Sequence, residues 1–176
     1  MNTIYFGDKF LASRFADIPA QAWVYPVTTP ATPLLDTGTN GEISAVAFSD
    51  GLGTQVVNQI MTPSDLDTSG TVTFHAYGYA ATAAGSKNIE YTFYHSAKSD
   101  SENWDAAHST KISGDLVPDS TQDDLDYFTW TETVSNLGWA ANDHLRIKLA
   151  RTAPSANDLV GNYNHTLFRI EYPVLP

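Results

Sequence analysis

The chain has 176 residues, of which 42% are hydrophobic, 12% aromatic and only 16% charged, a length that suits one domain able to bury roughly 70% of its unfolded surface. Twenty acidic residues against nine basic ones give a formal charge of −11, and a field of that sign repels phosphate backbones and anionic membranes, which excludes nucleic acid as a partner. The absence of cysteine removes disulfides, thiolate metal sites and cysteine nucleophiles together.

The N-terminus, MNTIYFGDKFLASRF, lacks the basic start, apolar core and small-residue cleavage site of a signal peptide. No apolar run reaches the ~18 residues of a membrane span, so the sequence predicts a soluble chain. Residues 1–41 hold four of the nine prolines, Pro19, Pro26, Pro30 and Pro33. Each fixes φ and biases its predecessor toward extended backbone, which predicts an extended or irregular arm. The same segment carries Tyr5, Phe6, Phe10, Phe15, Trp23 and Tyr25. That is too much apolar surface for a solvated linker, so either the chain's own domain or a neighbouring subunit must cover it.

From residue 42 to 176 the sequence changes to short alternating runs separated by turn residues, the mark of strands. Ile43 to Phe48 opens the set, and Gln55 to Met61 reads as strand or helical turn. Thr71 to Tyr79 alternates Val72, Phe74 and Ala76 against polar neighbours, and Asn88 to His95 sets Ile89, Tyr91 and Phe93 opposite Glu90, Thr92 and Tyr94. The stretch around Ser101 to Ala107 is the best helical candidate. Tyr127 to Ser135, Asp143 to Arg151 and Thr166 to Tyr172 complete the strands, the clearest being Leu145, Ile147 and Leu149 against His144, Arg146 and Lys148. About eight strands with Gly, Pro, Asp and Asn between them predict an all-β, jelly-roll-like antiparallel sandwich.

Several motifs invite chemistry and fall short of it. Asp65-Leu66-Asp67-Thr68-Ser69-Gly70 starts like an EF-hand loop, but position twelve is Ala76 and a strand follows, so a turn capped by its own carboxylates is expected. Glu90, Glu132 and Glu171 lie on or near strands without a companion motif for glycoside hydrolysis. The five histidines show no HExxH spacing, and no GxSxG, P-loop or GxGxxG occurs. No catalytic residue, metal or cofactor is therefore assigned, and the chain reads as a structural or binding module rather than an enzyme. Residues 99–126 hold eight of the twenty acidic residues against Lys111 alone, in a long loop region expected to be a solvated face. Arg151 at a strand end and Asp158 in the next loop are placed to pair and close residues 152–161.

The sequence from FSDG (Phe48 to Gly51) through MTPSDLDTSGTVTFHAYGYA and IEYTFYHSAKSDSENWDAA to LGWAANDHLRIKLARTAPSANDLVGNYNHTLFRIEYP resembles a jelly-roll virion module of tailed bacteriophages. Such modules occur in capsid decoration (head cement) proteins and in fibre-associated and receptor-binding proteins. Where they often read Gly-Asp before the penultimate strand, this chain has Asn142-Asp143, and Asn tolerates the same left-handed turn. The resemblance implies a homotrimer on the capsid exterior of a virion. Its partner would be the major capsid protein or another virion surface, held through the arm aromatics Tyr5, Phe6, Phe10, Phe15, Trp23 and Tyr25. The alternative is a carbohydrate-binding or receptor-binding module of a phage tail or fibre, with Trp104 and Trp139 facing a glycan, because ring faces pack on pyranoses while carboxylates and amides take their hydroxyls.

Overall fold

The computed structural model describes residues 13–36, 43–50 and 53–175. Ten strands and two short helical turns follow in chain order among these residues: β1 (Ser13–Pro19), a 3-10 turn (Ala20–Ala22), β2 (Thr32–Asp36), β3 (Ile43–Phe48), β4 (Gln55–Met61), β5 (Thr71–Ala80), β6 (Glu90–Lys98), β7 (Ser109–Ile112), β8 (Asp126–Thr133), α1 (Val134–Leu137), β9 (His144–Thr152) and β10 (Tyr163–Pro173). They form two antiparallel sheets. One runs β2-β3-β10-β5-β8 with β1 also beside β10, and the other runs β4-β9-β6-β7. The expected all-β, jelly-roll-like sandwich is the fold.

Alternation explains why the sheets face each other as they do. In β9, Leu145, Ile147 and Leu149 are buried while His144, Arg146 and Lys148 stay partly exposed, which is the period of two that a half-buried strand requires. In β5, Phe74 projects inward and meets Phe93 of β6 with ring centroids 4.8 Å apart. Phe168 of β10 stacks on both. Around this centre Tyr91, Tyr163, Phe48 and Tyr172 are fully enclosed, so the core is aromatic from end to end.

The arm is where expectation and structure part. Residues 13–36 are built into the sandwich rather than extended from it. β1 pairs with the C-terminal half of β10, from Ser13 opposite Pro173 to Pro19 opposite Leu167. Val24 and Pro30 then bridge to the free edge of β4, and β2 returns to pair with β3. The segment thus straps one sheet to the other. Pro33 fits because β2 is an edge strand, where a missing N–H is tolerated. Three further differences are local. The stretch 101–107 forms turns, not a helix. Residues 134–135 leave their strand to start α1, capped by Thr133 Oγ1, which accepts from the Asn136 N–H. β7 is an additional short strand.

Turn chemistry behaves as read. Asn142 takes a left-handed φ of 62° before β9, and the Asp143 carboxylate then accepts from the Ala140 N–H at 2.7 Å. Asp67 caps its own loop, accepting from the backbone N–H and the hydroxyl of Ser69, which holds its carboxyl below the usual range. Arg151 is 1% exposed. It pairs with Asp158 at 3.0 Å and donates to the carbonyls of Gly161 and Leu159, so it closes the 152–161 loop as expected.

Candidate functional site

The outer face of the four-stranded sheet carries the site. Register places Gln59 of β4, Arg146 of β9 and Ser96 of β6 in one row, Val57, Lys148 and Tyr94 in the next, and Met61, His144 and Lys98 in a third. After β6 the chain turns back over this face, guided by Glu102, which accepts from the backbone N–H and hydroxyl of Ser99. That return lays Trp104 flat on His144, with centroids 4.5 Å apart and planes at 15°. The Arg146 guanidinium lies 5.2 Å from the Trp104 ring and donates to the Ala106 carbonyl at 2.5 Å. A stacked imidazole and a guanidinium over the ring therefore fix the indole.

Next to this platform lies a groove of about 550 Å³ lined by Val24, Val57, Asn58, Gln59, His108 and Arg146, within the ~300–1,000 Å³ usual for small-ligand sites. One wall, Val24, comes from the strap and is 60% exposed. Asn58 is held by donating to the Ala22 carbonyl at 3.0 Å. The Arg146 Nε–H is buried and has no acceptor. Burial, reinforced by the Arg146 and Lys148 charges, lowers the His108 pKa, which favours the neutral ring. Lys148 stands over the Tyr94 ring at 3.7 Å, and partial burial lowers its pKa too. The arrangement offers the exposed Gln59 amide and the Arg146 guanidinium in a concave space, with the Trp104 ring and Lys148 beside it. It can stack a ring and hydrogen-bond its substituents.

The residues singled out from the sequence divide sharply. Trp104 is 37% exposed and belongs to the site, whereas Trp139 is 3% exposed and does not. Trp139 follows the left-handed Gly138 into the core, where its indole N–H donates to His95 at 3.2 Å. It cannot face a ligand. Of the arm aromatics, Tyr5, Phe6 and Phe10 lie outside the described residues. Trp23 is 3% exposed and packs its ring near Phe168 and His165, so its own domain covers it. It offers nothing to a neighbour. Tyr25 is half-buried and packs against the core. Phe15 is exposed, beneath the Arg169 guanidinium on the outer face of the six-stranded sheet.

That opposite face holds a second aromatic group. Tyr77 stacks on Tyr127, and His75 links the Tyr127 hydroxyl at 2.7 Å to Glu171 at 3.1 Å. Tyr79, further along β5, is buried. Glu90, Glu132 and Glu171 are not brought together. Glu90 accepts from Thr152, Glu132 pairs with Lys111, and Glu171 with His75. No group of three potential metal ligands forms among the described residues, and no helix there is long and apolar enough to cross a membrane. No pattern in the sequence marks Gln59, Asn58 or His108 as site residues. Only the pairing of β4 with β9 and the fold-back of the 99–108 loop bring them to one groove.

Fold and site together define a β-sandwich with a groove on one sheet, beside an exposed Trp104. No protein-family model matches the chain, and no curated protein matches it. Among solved structures it is similar to the CBM22-1 xylan-binding domain of Xyn10C from Paenibacillus barcinonensis, with 10% identity over 94% of this chain and 98% of that one and a TM-score of 0.50. It is likewise similar to the xylan-binding module CBM15, at 12% identity over 93% of this chain and 99% of that one, with a TM-score of 0.55. These likenesses extend over nearly the whole of each chain and show a shared fold.

Proposed function

We propose that this protein is a carbohydrate-binding β-sandwich module that lays a glycan across the outer face of β4, β9 and β6. The observation that carries this reading is Trp104, the one exposed Trp of the described residues, held flat by His144 and Arg146 beside the groove. An indole fixed in this way offers its exposed part without further loss of rotamer freedom on binding, which is what a pyranose-stacking platform needs. Gln59 and Arg146 supply hydroxyl partners within the same groove. Similarity to two xylan-binding modules supports the reading at the level of fold.

The test is binding to a glycan array and to polysaccharide gels. Trp104→Ala should weaken binding at least ~10-fold, since stacking on an aromatic platform is worth ~1–3 kcal/mol, with an unchanged melting temperature. Equal binding by the variant would overturn the assignment.

A second reading, a trimeric capsid decoration or cement protein of a virion, is supported by the likeness of residues 42–173 to phage virion modules and by the aromatics Tyr5, Phe6 and Phe10 ahead of β1. A chain lacking residues 1–12 would then stay folded but lose attachment to capsids and its trimeric mass in light scattering. Retention of both by the shortened chain would remove this reading.

A further inference from the structure

We infer that the groove on the four-stranded sheet selects an anionic saccharide, one bearing carboxylate or sulfate groups; this rests on the carbohydrate-binding reading and names its ligand class. The charge placement is the reason. The chain carries −11 overall, yet β4, β7 and β9 contain no Asp or Glu, and β6 contains only Glu90 at its first position. Glu90 is occupied by the Thr152 hydroxyl. Against this, Arg146, Lys148 and Lys98 project from the outer face with His144 between them. The six-stranded sheet differs: its Arg14 and Arg169 are neutralised by Asp65 and Asp17.

The cations in and beside the groove have no hydrogen-bonded carboxylate among the described residues. Lys148 rests on the Tyr94 ring and on no carboxylate. The nearest carboxylate to Arg146 is Asp105, at 3.9 Å and fully exposed to water, too distant for a hydrogen bond. Its Nε–H is buried without an acceptor beside the groove. With Nη2 given to the Ala106 carbonyl and Nη1 3.9 Å from Asp105, the guanidinium keeps donor capacity for a carboxylate or sulfate oxygen. Of the carboxylates in the loop folded over this face, Asp105 lies 3.9 Å from Arg146 and Glu102 feels the Lys98 charge, so they compete with an anionic ligand, while more distant acidic groups are screened over ~8 Å at physiological salt.

The experiment is calorimetry of the full chain with three hexasaccharide probes: hexagalacturonate for the carboxylate, a sulfated dextran oligosaccharide for the sulfate, and xylohexaose as the uncharged reference. At least one anionic probe should bind ~10-fold or more tightly than xylohexaose at low salt and lose most of that margin at about 0.5 M NaCl, where the Debye length is only a few Å. Which probe wins identifies the anion. Lys148→Gln should narrow the margin about five-fold, and Asp105→Asn, which removes the competing carboxylate, should widen it. Trp104-dependent binding in which xylohexaose matches both anionic probes would overturn the anionic preference while leaving the carbohydrate reading intact. Failure of all three probes to bind would overturn both.

Discussion

Arg151 shows how one residue can be legible in the sequence and still exceed its expected role. The expected pair with Asp158 is present, but the guanidinium also holds the Leu159 and Gly161 carbonyls from a buried position. Arg151→Ala therefore removes a multi-point clasp and strands those carbonyls, a change that costs about 3–5 kcal/mol for a buried charged donor. The mutant should melt well below wild type and be cut earlier by protease within residues 152–161. Unchanged proteolysis would count against the clasp. The buried histidines make a second residue-scale prediction. Burial lowers the His95 pKa to about 4 and that of His165 to about 3, so both are neutral in the fold. The unfolded chain takes up these protons from about pH 6.5 downward and the folded one only near pH 3–4, so stability should fall as pH drops through that window. At His95 alone the loss amounts to roughly 3 kcal/mol by pH 4. Asp126, whose pKa burial raises, works in the opposite sense and softens the decline. Denaturant midpoints at pH 7, 5.5 and 4.5 should decrease in that order, and His165→Gln should flatten the series.

Among the elements, the strap of residues 13–36 changes what truncation means. Removing residues 1–12 leaves β1 whole, so the domain should retain its melting temperature within a few degrees. Removing residues 1–33 strips β1 from β10 and takes Ile18 and Trp23 out of the core, where they are 2% and 3% exposed. Large-to-small losses at such sites cost about 2–5 kcal/mol each, and the β4 and β10 edges lose their cover. The longer truncation should be unfolded or aggregated by circular dichroism and gel filtration. A cooperative melt like that of the full chain would show that the strap is dispensable. The prolines concealed these strands from sequence reading: they read as breakers, yet Pro19 ends β1 and Pro33 sits on an edge, the two places a strand admits them. β7 was hidden by its brevity and by Ser, Thr and Lys in place of an apolar period.

At the scale of the whole molecule, charge is sorted between faces. The four-stranded sheet presents Arg146, Lys148 and Lys98 beside a groove and the Trp104 ring, while the six-stranded sheet presents the stacked Tyr77 and Tyr127 among carboxylates already matched to Arg169 and His75. The Lys111–Glu132 pair ties the β7 edge of one sheet to β8 of the other at 3.1 Å. Trp104→Ala changes only the first face. For that reason glycan affinity and thermal stability should separate in that mutant, whereas in Arg151→Ala they should fall together.

The sequence by itself determined the all-β sandwich, most strand positions, the Asn142 turn and the Arg151 clasp. Each depends on residues close along the chain, where a period of two or a turn residue speaks directly. It also marked Trp104, because an aromatic in a polar acidic loop has little local cover. Tertiary structure decided the rest. Trp139 looks as exposed in sequence as Trp104, but Gly138 turns it inward, and the cover that Trp23 requires comes from its own domain because the strap carries it into the core. Phe15 and Tyr25 differ in burial for the same reason. The groove itself unites residues from the strap, β4, β9 and the 99–108 loop, and no short-range pattern encodes which strands become neighbours.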